Sequence, residues 1–263
     1  MGVKTLITLD EVNKLFDSYN FKNLKPTSSG IIDTTYIVDN FILKKYERDI
    51  KTKIDEDIKL LSELKAVGLS VPTCQDRNGE WYLYEKLQGE EPNNIKSYHI
   101  QAVARFLAKF HSFTYKKSSN SNLIDQDEIT SLLNYTKSNF FGYYKRLQFL
   151  KKYNIKNDGL IHGDIFKDNT LFLDSKIGVF DFIDSADGSF NFECGVALVG
   201  FGIKKNRNFF INLFLHTYNQ HAPKKIEKKE LLEGMDMACG FYALKRIYRY
   251  KNTKKAKKLS SCS

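Results

Sequence analysis

The chain has 263 residues, of which 42% are hydrophobic, enough for one large domain or two small lobes and too many for a chain that is disordered throughout. No apolar run approaches the roughly 20 residues needed to cross a bilayer, and the acidic start lacks a small-residue cleavage site, so we expect neither a membrane partner nor a signal peptide. The four cysteines, Cys74, Cys194, Cys239 and Cys262, lie far apart. Their spacing favours reduced thiols in a cytoplasm.

The formal net charge of +10 is partly local, because lysines cluster at residues 224–229 and in the tail at 251–258. A lysine-rich, solvated surface explains this charge, and a positive field that draws in ATP and anionic substrates is the functional alternative. The basic residues are not interleaved with stacking aromatics in a recognisable module. We therefore expect no nucleic-acid partner.

Up to residue 88, the pattern predicts strands and helices in alternation. Apolar spacing and turn residues indicate a short helix at 9–17, a strand–turn–strand at 24–47, a helix at 54–66 and a hairpin at 73–87 with Asn78-Gly79 as its turn. After Gly89 helical spacing dominates, at 100–111, 125–153, 207–220 and 227–250. The sequence thus predicts an α+β chain, with a small β-rich lobe at 1–88 and a larger, mainly helical lobe at 89–263.

The stretch from residue 161 to 182, IHGDIFKDNTLFLDSKIGVFDF, carries the chemistry. A hydroxyl nucleophile must be oriented and must lose its proton, and Asp164 is the candidate catalytic base for both. Asn169 and Asp181 offer the hard oxygen ligands that suit a Mg²⁺ ion. Their order and spacing are typical of ATP-dependent phosphorylation of a hydroxyl, by a protein-kinase-like fold. The alternative is that all three are loop polars that form turns and caps.

Several residues in the first lobe are candidates for binding ATP. Lys44 follows three apolar residues of a strand, as in the V-A-I-K motif, whereas Lys45 points to the opposite face. The acidic partner of Lys44 is expected on the next helix, where Glu56, Asp57 and Glu63 are available. Four further candidates rest on their position in the sequence alone. Ser29 and Gly30 are expected in a loop that covers the phosphates, and Glu85 and Leu87 in a hinge whose backbone pairs with adenine.

On the acceptor side, acidic residues closely follow the metal motif. Asp184 and Asp187 are candidates for contact with a cationic amine of the substrate, and Glu193 comes slightly later. A buried carboxylate needs such a partner. The structural alternative is turn chemistry around Gly188, with Glu193 as a structural anchor that caps the next helix.

Several landmarks resemble the aminoglycoside phosphotransferase and choline kinase superfamily, and within it the bacterial homoserine kinase family. The family's H-G-D-L-F-R-D-N-V-L-F is similar to residues 162–172, and its late R-F-W-L-S-R-L to residues 241–247. Further similarities lie at residues 30–36 (the family's nucleotide loop), 41–48 (its F-I-L-T-L-Y-E-K strand), 68–72 (G-L-P-x-P) and 107–111 (L-A-x-L-H). The landmarks keep their order over nearly the whole chain.

The resemblance implies Asp164 as base, Asn169 and Asp181 as Mg²⁺ ligands, and Lys44 near the phosphates. It implies ATP-dependent formation of O-phosphohomoserine, a step toward threonine, in the cytoplasm. The departures from the family lie on the acceptor side, where Phe241 replaces the first arginine of the late helix motif and Arg246 is retained. Arg246 is therefore the candidate that binds the carboxylate of homoserine.

Two other functions are considered. The first is a kinase of the same fold that acts on another amino alcohol, such as choline, ethanolamine or an aminoglycoside. Asp184 and Asp187 favour such a cationic acceptor. The second is a pseudokinase, which would only bind nucleotide or a protein partner. The intact Asp164, Asn169 and Asp181 argue against this alternative. A protein kinase is disfavoured because no A-P-E segment follows Asp181. The acceptor, the choice of ATP over GTP, the oligomeric state and the role of the basic tail stay open at this point.

Overall fold

The structure, a computed structural model, describes residues 3–27, 32–119, 121–153 and 156–251. Its contacts divide the chain into two compact units. The first comprises Met1–Gln88 and Gly178–Ile183, and the second comprises Gly89–Ile177 and Asp184–Ser263. In the described residues, no helix has the length and apolar character that a bilayer crossing requires.

The first unit is built on a five-stranded antiparallel sheet in the order β1-β2-β3-β5-β4. Its elements are α1 Leu9–Leu15, β1 Leu24–Pro26, β2 Thr34–Val38, β3 Phe41–Lys45, α2 Lys51–Ala66, β4 Cys74–Asn78 and β5 Trp81–Glu85. A capping box starts α1, because Glu11 N donates to Thr8 Oγ1 (3.3 Å) and Thr8 N donates to Glu11 Oε2 (2.7 Å). Val12 and Phe16 then pack with Leu43 and Leu83 of the sheet in one apolar core.

The two hairpins of this sheet turn at residues with positive φ. Asp39 has φ 46° between β2 and β3, and Gly79 has φ 59° between β4 and β5. Asn78 is paired with Trp81, so the second turn is Gly79-Glu80. The sequence placed this turn one residue earlier, at Asn78-Gly79. Asn78 remains in the strand, and its side chain donates to the Leu15 carbonyl (2.7 Å) instead.

The second unit is mainly helical. From Gly89 onward the elements are α3 Ser97–Thr114, α4 Gln126–Asn139, α5 Phe141–Leu147, a 3₁₀ helix Gln148–Lys152, β6 Gly159–Ile161, a 3₁₀ helix Lys167–Asn169, β7 Thr170–Leu173, β8 Lys176–Val179, β9 Ala186–Gly188, α6 Phe190–Gly200, α7 Asn208–Asn219 and α8 Lys228–Tyr250. The last two residues of β8 belong to the first unit. Strand β6 pairs antiparallel with β9, and β7 pairs with β8. Helix α3 packs on α7, and α6 packs on α8.

Helix α6 was not predicted from the sequence. Nearly every residue from Phe190 to Val199 is buried, so the segment shows no polar face and no helical period. Its backbone meets that of α8 directly, because a Cβ added at Gly195 would lie 2.3 Å from the backbone carbon of Gly234. Two glycines therefore allow the two helices to cross at backbone contact.

The segment 178–183 has its contacts in the first unit, although the sequence placed it in the second lobe. Val179 N donates to the carbonyl of Ser70 at 3.0 Å. At Gly178, an added Cβ would lie 3.0 Å from the Leu87 side chain. The consequence is that Asp181 is positioned by the β-rich unit, together with Lys44.

Candidate active site

A short loop after β6 positions Asp164 and Asn169 together in the second unit. The 3₁₀ helix Lys167–Asn169 turns the chain back, so that Asn169 Nδ2 donates to the Asp164 carbonyl (2.8 Å) and to Asp164 Oδ2 (3.0 Å). Phe166 N also donates to the Asp164 carbonyl, at 2.8 Å. Asp164 is exposed while the residues on both sides of it are buried. The loop thus presents one oriented carboxylate, as a general base requires.

A fully buried carboxylate anchors this loop from beneath. Glu193 of α6 has 0% exposure, and its Oε1 accepts hydrogen bonds from the backbone amides of His162 (2.7 Å) and Gly163 (2.9 Å). Its other oxygen, Oε2, lies 2.6 Å from Nε2 of His111. Charge-assisted hydrogen bonds of this kind are short and strong, so they fix the backbone that precedes Asp164.

His111 links the anchor to two further helices. Its Nδ1 lies 2.6 Å from the hydroxyl of Tyr218 on α7, and its ring stacks on Phe190 with centroids 3.9 Å apart. Since His111 belongs to α3, Glu193 to α6 and Tyr218 to α7, three helices converge on the loop through one network. Buried polar groups that are all hydrogen-bonded in this way specify a single arrangement of the core.

Tyr242 contacts the same loop from α8. Its hydroxyl donates a hydrogen bond to the Gly163 carbonyl, and its ring packs edge-on against Phe166 at 5.1 Å. Burial, together with the charges of Asp164 and Glu193, raises the pKa of Tyr242 well above its ordinary value, and Arg246 acts in the opposite direction. The sequence analysis missed Tyr242. Its position one turn before Arg246 was the available signal, because residues four apart share a helix face.

In the first unit, Lys44 and Asp181 form an ion pair. Lys44 Nζ lies 2.9 Å from Asp181 Oδ1 and 3.9 Å from Asp33 Oδ2. It also stands over the Tyr46 ring, 4.6 Å from its centroid. Burial favours the neutral amine, but the carboxylates of Asp181 and Asp33 outweigh it and raise the pKa of Lys44. The lysine is therefore held in its charged form.

The expected pairing of Lys44 with Glu56 is not what the structure shows. Glu56 is exposed on α2, whereas Asp57 is buried, because one helical residue turns the side chain by about 100°. The ion pairs found for Lys44 among the described residues are those with Asp181 and Asp33. The cation is thus neutralised by residues outside α2.

The two hinge candidates, Glu85 and Leu87, have different surroundings. Glu85 N donates to the Thr73 carbonyl (2.9 Å), and its carboxylate accepts from Lys65 Nζ (2.9 Å), so both groups are already bonded within the unit. These bonds involve the Glu85 amide and carboxylate, and the pairing of adenine with the hinge backbone at Glu85 stays a prediction. Leu87 is buried next to Gly178 and stays a candidate. Ser29 and Gly30 lie outside the described residues.

Asp187 also differs from its predicted role. It is 4% exposed, and its carboxylate accepts hydrogen bonds from the Ser118 hydroxyl, from Ser119 N (2.6 Å) and from Asn157 Nδ2 (3.2 Å). These donors occupy both oxygens, so Asp187 anchors the loop after α3 and is not a contact for a substrate amine. Asp184 is exposed, and Arg246 is half-buried on α8 near Tyr242.

The described residues contain no cluster of three or more His, Cys, Asp or Glu side chains that could hold a metal ion. Mg²⁺ does not require such a cage, because it retains several waters and takes one or two carboxylates plus substrate phosphates. Asn169 fits this mode. Its Nδ2 is bonded to Asp164, which leaves the carbonyl oxygen of the same amide as the atom for a cation.

Comparison with known proteins identifies a family that matches this chain. The sequence model of the phosphotransferase enzyme family matches residues 23–224. The homoserine kinase of Polaromonas naphthalenivorans (strain CJ2) is 23% identical, over 95% of this chain and 90% of its own. The homoserine kinase of Methylobacillus flagellatus is 23% identical, over 89% and 83% of the two chains.

Solved structures share the fold. An ADP-bound aminoglycoside phosphotransferase, APH(2'')-Ib, has a TM-score of 0.65 and 18% identity, with 97% of both chains covered. A GDP complex of a mutant aminoglycoside 2'-phosphotransferase-IIIa has a TM-score of 0.71 and 13% identity, with 95% and 93% covered. The predicted α+β fold of the protein-kinase-like class, with its β-rich and helical lobes, is confirmed.

A β-rich unit with a charged lysine and a helical unit with an anchored H-G-D loop define a kinase-like phosphotransferase. The family model covers most of the chain. The chain belongs to the phosphotransferase enzyme family, and the resemblance to the aminoglycoside phosphotransferase superfamily and its homoserine kinases is confirmed.

Proposed function

We propose that the protein is an ATP-dependent kinase that phosphorylates the hydroxyl of homoserine to give O-phosphohomoserine, a step toward threonine. The observation that carries the reaction type is the hydrogen bond from Asn169 Nδ2 to Asp164 Oδ2, which orients an exposed carboxylate on an anchored loop. The acceptor is supported by three homoserine kinases that align with 84–95% of this chain.

In the proposed reaction, the acceptor oxygen forms a bond to the γ-phosphorus of ATP while the bond from that phosphorus to the β,γ-bridging oxygen breaks. ADP leaves with that oxygen, and the hydroxyl proton passes to the carboxylate of Asp164. Lys44 would bind the phosphates through its charge. Positioning and charge stabilisation supply most of the rate gain in reactions of this kind.

We propose that Asn169 and Asp181 hold Mg²⁺, as the sequence motifs predict. When bound, Mg²⁺ neutralises the negative charge of the phosphates. The side chain of Asp181 is 43% exposed, and its ion pair with Lys44 would have to adjust when a cation and phosphates arrive. Its φ of 70°, unusual for a residue with a Cβ, marks the backbone at this position as specially constrained.

Arg246 is the residue proposed to recognise the acceptor. It lies on α8, where its charge acts on Tyr242, and Tyr242 in turn is within the electrostatic reach of Asp164. A guanidinium at this place suits the carboxylate of an amino acid such as homoserine, because its planar donors match the two oxygens. The location proposed is the cytoplasm, since the four cysteines lie far apart in the sequence, as is typical of reduced thiols.

The second candidate is a kinase that acts on an amino alcohol without a carboxylate. The exposed carboxylate of Asp184 and the similarity to aminoglycoside phosphotransferases favour it. Such an acceptor would have no use for Arg246. The two candidates therefore differ in one residue that can be tested.

The deciding experiment measures ADP release with Mg·ATP and a panel of homoserine, serine, choline, ethanolamine and kanamycin. Selective turnover of homoserine, with a phosphomonoester product seen by ³¹P NMR, supports the proposal. Arg246→Ala should then raise the KM for homoserine and leave the KM for ATP unchanged. Turnover of choline, ethanolamine or kanamycin without homoserine would replace the acceptor, and no turnover with any of them would reject the proposed function.

A further inference from the structure

Gly163 is the residue of the H-G-D loop that has no side chain to restrict its backbone. Its φ of 77° lies in the left-handed region, and an added Cβ would lie 2.4 Å from Cδ2 of Leu123. The backbone conformation therefore favours glycine, and a larger residue would also require the Leu123 side chain to shift. The same residue has the largest backbone freedom of any amino acid, and it directly precedes Asp164. Something other than the residue itself has to hold the peptide group in place.

The peptide group between Gly163 and Asp164 is planar, so fixing its carbonyl also fixes its N–H and the start of Asp164. The carbonyl accepts the hydrogen bond of Tyr242, and the N–H donates to His162 Nδ1 at 3.2 Å. The preceding peptide group, between His162 and Gly163, is held by Glu193 Oε1 at 2.9 Å. Two helices thus hold the two sides of Gly163, α6 through its amide and α8 through its carbonyl.

We propose that Tyr242 is a positioning residue, whose hydroxyl holds the Gly163–Asp164 peptide group and so fixes the direction of the Asp164 carboxylate. This inference rests on the proposed function, in which Asp164 is the base. The raised pKa of Tyr242 supports it, because the hydroxyl remains protonated and remains a donor throughout the neutral range. Its ring, packed against Phe166 and Phe241, keeps the hydroxyl in one place.

The test is Tyr242→Phe, which removes the hydroxyl and keeps the ring. We expect kcat to fall about 10- to 100-fold, with the KM values of ATP and acceptor within about twofold of the parent, because misplaced reacting groups slow the chemical step and not binding. Tyr248→Phe is the matched control. That residue lies on the same helix, is 51% exposed and contacts the Tyr135 ring, so its loss of a hydroxyl should change nothing.

Hydrogen exchange of the peptide that covers residues 161–169 provides a readout without an acceptor. Exchange should become faster in Tyr242→Phe and stay unchanged in Tyr248→Phe. An unchanged kcat in Tyr242→Phe, or a loss confined to the KM of the acceptor, overturns the inference. If the parent protein turns over no acceptor, the proposed function fails, and unchanged exchange in Tyr242→Phe then overturns the inference independently.

Discussion

The ammonium group of Lys44 lies 2.9 Å from Oδ1 of Asp181, so an ion pair connects strand β3 to the segment after β8. The sequence predicted Lys44 near the phosphates of ATP and Asp181 as a ligand of Mg²⁺. Their contact shows that the β-rich unit assembles the lysine and the aspartate by itself. The neighbouring Lys45 lies on the same strand in a different environment, so it provides a control for substitutions of Lys44.

Lys44→Ala should raise the KM of ATP about tenfold or more and lower kcat, because the proposed function places the charge of Lys44 near the phosphates. Steady-state kinetics with varied ATP measures both parameters. Lys45→Ala is the control, since its side chain points to the other face of β3 and pairs with Glu80 at 2.8 Å. Equal effects of the two substitutions would contradict the assignment of Lys44.

Asp164→Asn should reduce kcat by about 10²- to 10⁴-fold, because an amide keeps the shape of the carboxylate and cannot accept the proton. Nucleotide affinity, measured by calorimetry with Mg·ATP, should stay within about twofold of the parent. Asp168→Asn is the matched control, as Asp168 is an exposed aspartate in the same loop. Near-normal turnover by Asp164→Asn would remove Asp164 from the reaction.

The sequence predicted the H-G-D loop, the hairpins and the lysine strand because each depends on local pattern. Asp164 and Asn169 are five residues apart, and a 3₁₀ helix between them suffices to join them. The network behind the loop depends on tertiary structure. Glu193 and His111 are 82 residues apart in the chain, and no local spacing indicates that they meet at 2.6 Å.

Helix α6 and the role of Asp187 were not predicted either, because both depend on tertiary structure. Helix α6 is buried on all sides, so the polar face that reveals a helix is absent. Asp187 looked like a substrate contact because acidic residues follow the metal motif. The donors that occupy it come from Ser118, Ser119 and Asn157, which are distant in the sequence.

Glu193→Ala should destabilise the protein by about 3–5 kcal/mol, because it leaves His111 and two backbone amides without their buried partner. Urea denaturation followed by circular dichroism measures the free energy of unfolding. Glu193→Gln should cost less, since the amide oxygen can still accept from His162 N or Gly163 N. The control, Glu91→Ala, removes an exposed carboxylate and should change stability by less than about 0.5 kcal/mol.

The stability contributed by Asp187 should depend on pH. Burial acts to raise the pKa of this carboxyl, but the hydrogen bonds from Ser118, Ser119 and Asn157 outweigh it and hold the pKa below its ordinary value. A group whose pKa is lowered in the folded state stabilises that state above its unfolded pKa, near 4, and loses this contribution as the pH falls through the folded pKa. The folded protein should therefore lose the contribution of Asp187 only in acid.

The measurement is the Tm of the parent and of Asp187→Asn between pH 7 and pH 3. The parent should be more stable at neutral pH, and the difference in Tm should shrink below about pH 4 as the parent carboxylate is protonated. Asp184→Asn is the control, because Asp184 is exposed and its substitution should leave Tm within about one degree across the same range. A difference for Asp187→Asn that is constant with pH would show that its charge is not what stabilises the loop.

Gly195→Ala and Gly142→Ala should have opposite effects, although both place alanine within a helix. At Gly195 an added Cβ would lie 2.3 Å and 2.4 Å from the backbone carbon and oxygen of Gly234, so α6 and α8 would have to separate. Overpacking of this kind costs about 1–3 kcal/mol or more, and it would also shift Glu193 on the same helix.

At Gly142, on α5, an added Cβ would meet nothing within 4 Å. Alanine should therefore stabilise the protein by about 0.5–1 kcal/mol, through its higher helix propensity. Urea denaturation of both variants gives the two free energies of unfolding. Since Gly195 is next but one to Glu193, hydrogen exchange of residues 161–169 should rise in Gly195→Ala and stay constant in Gly142→Ala. A Gly195→Ala variant with parental stability would mean that the two helices are not in backbone contact.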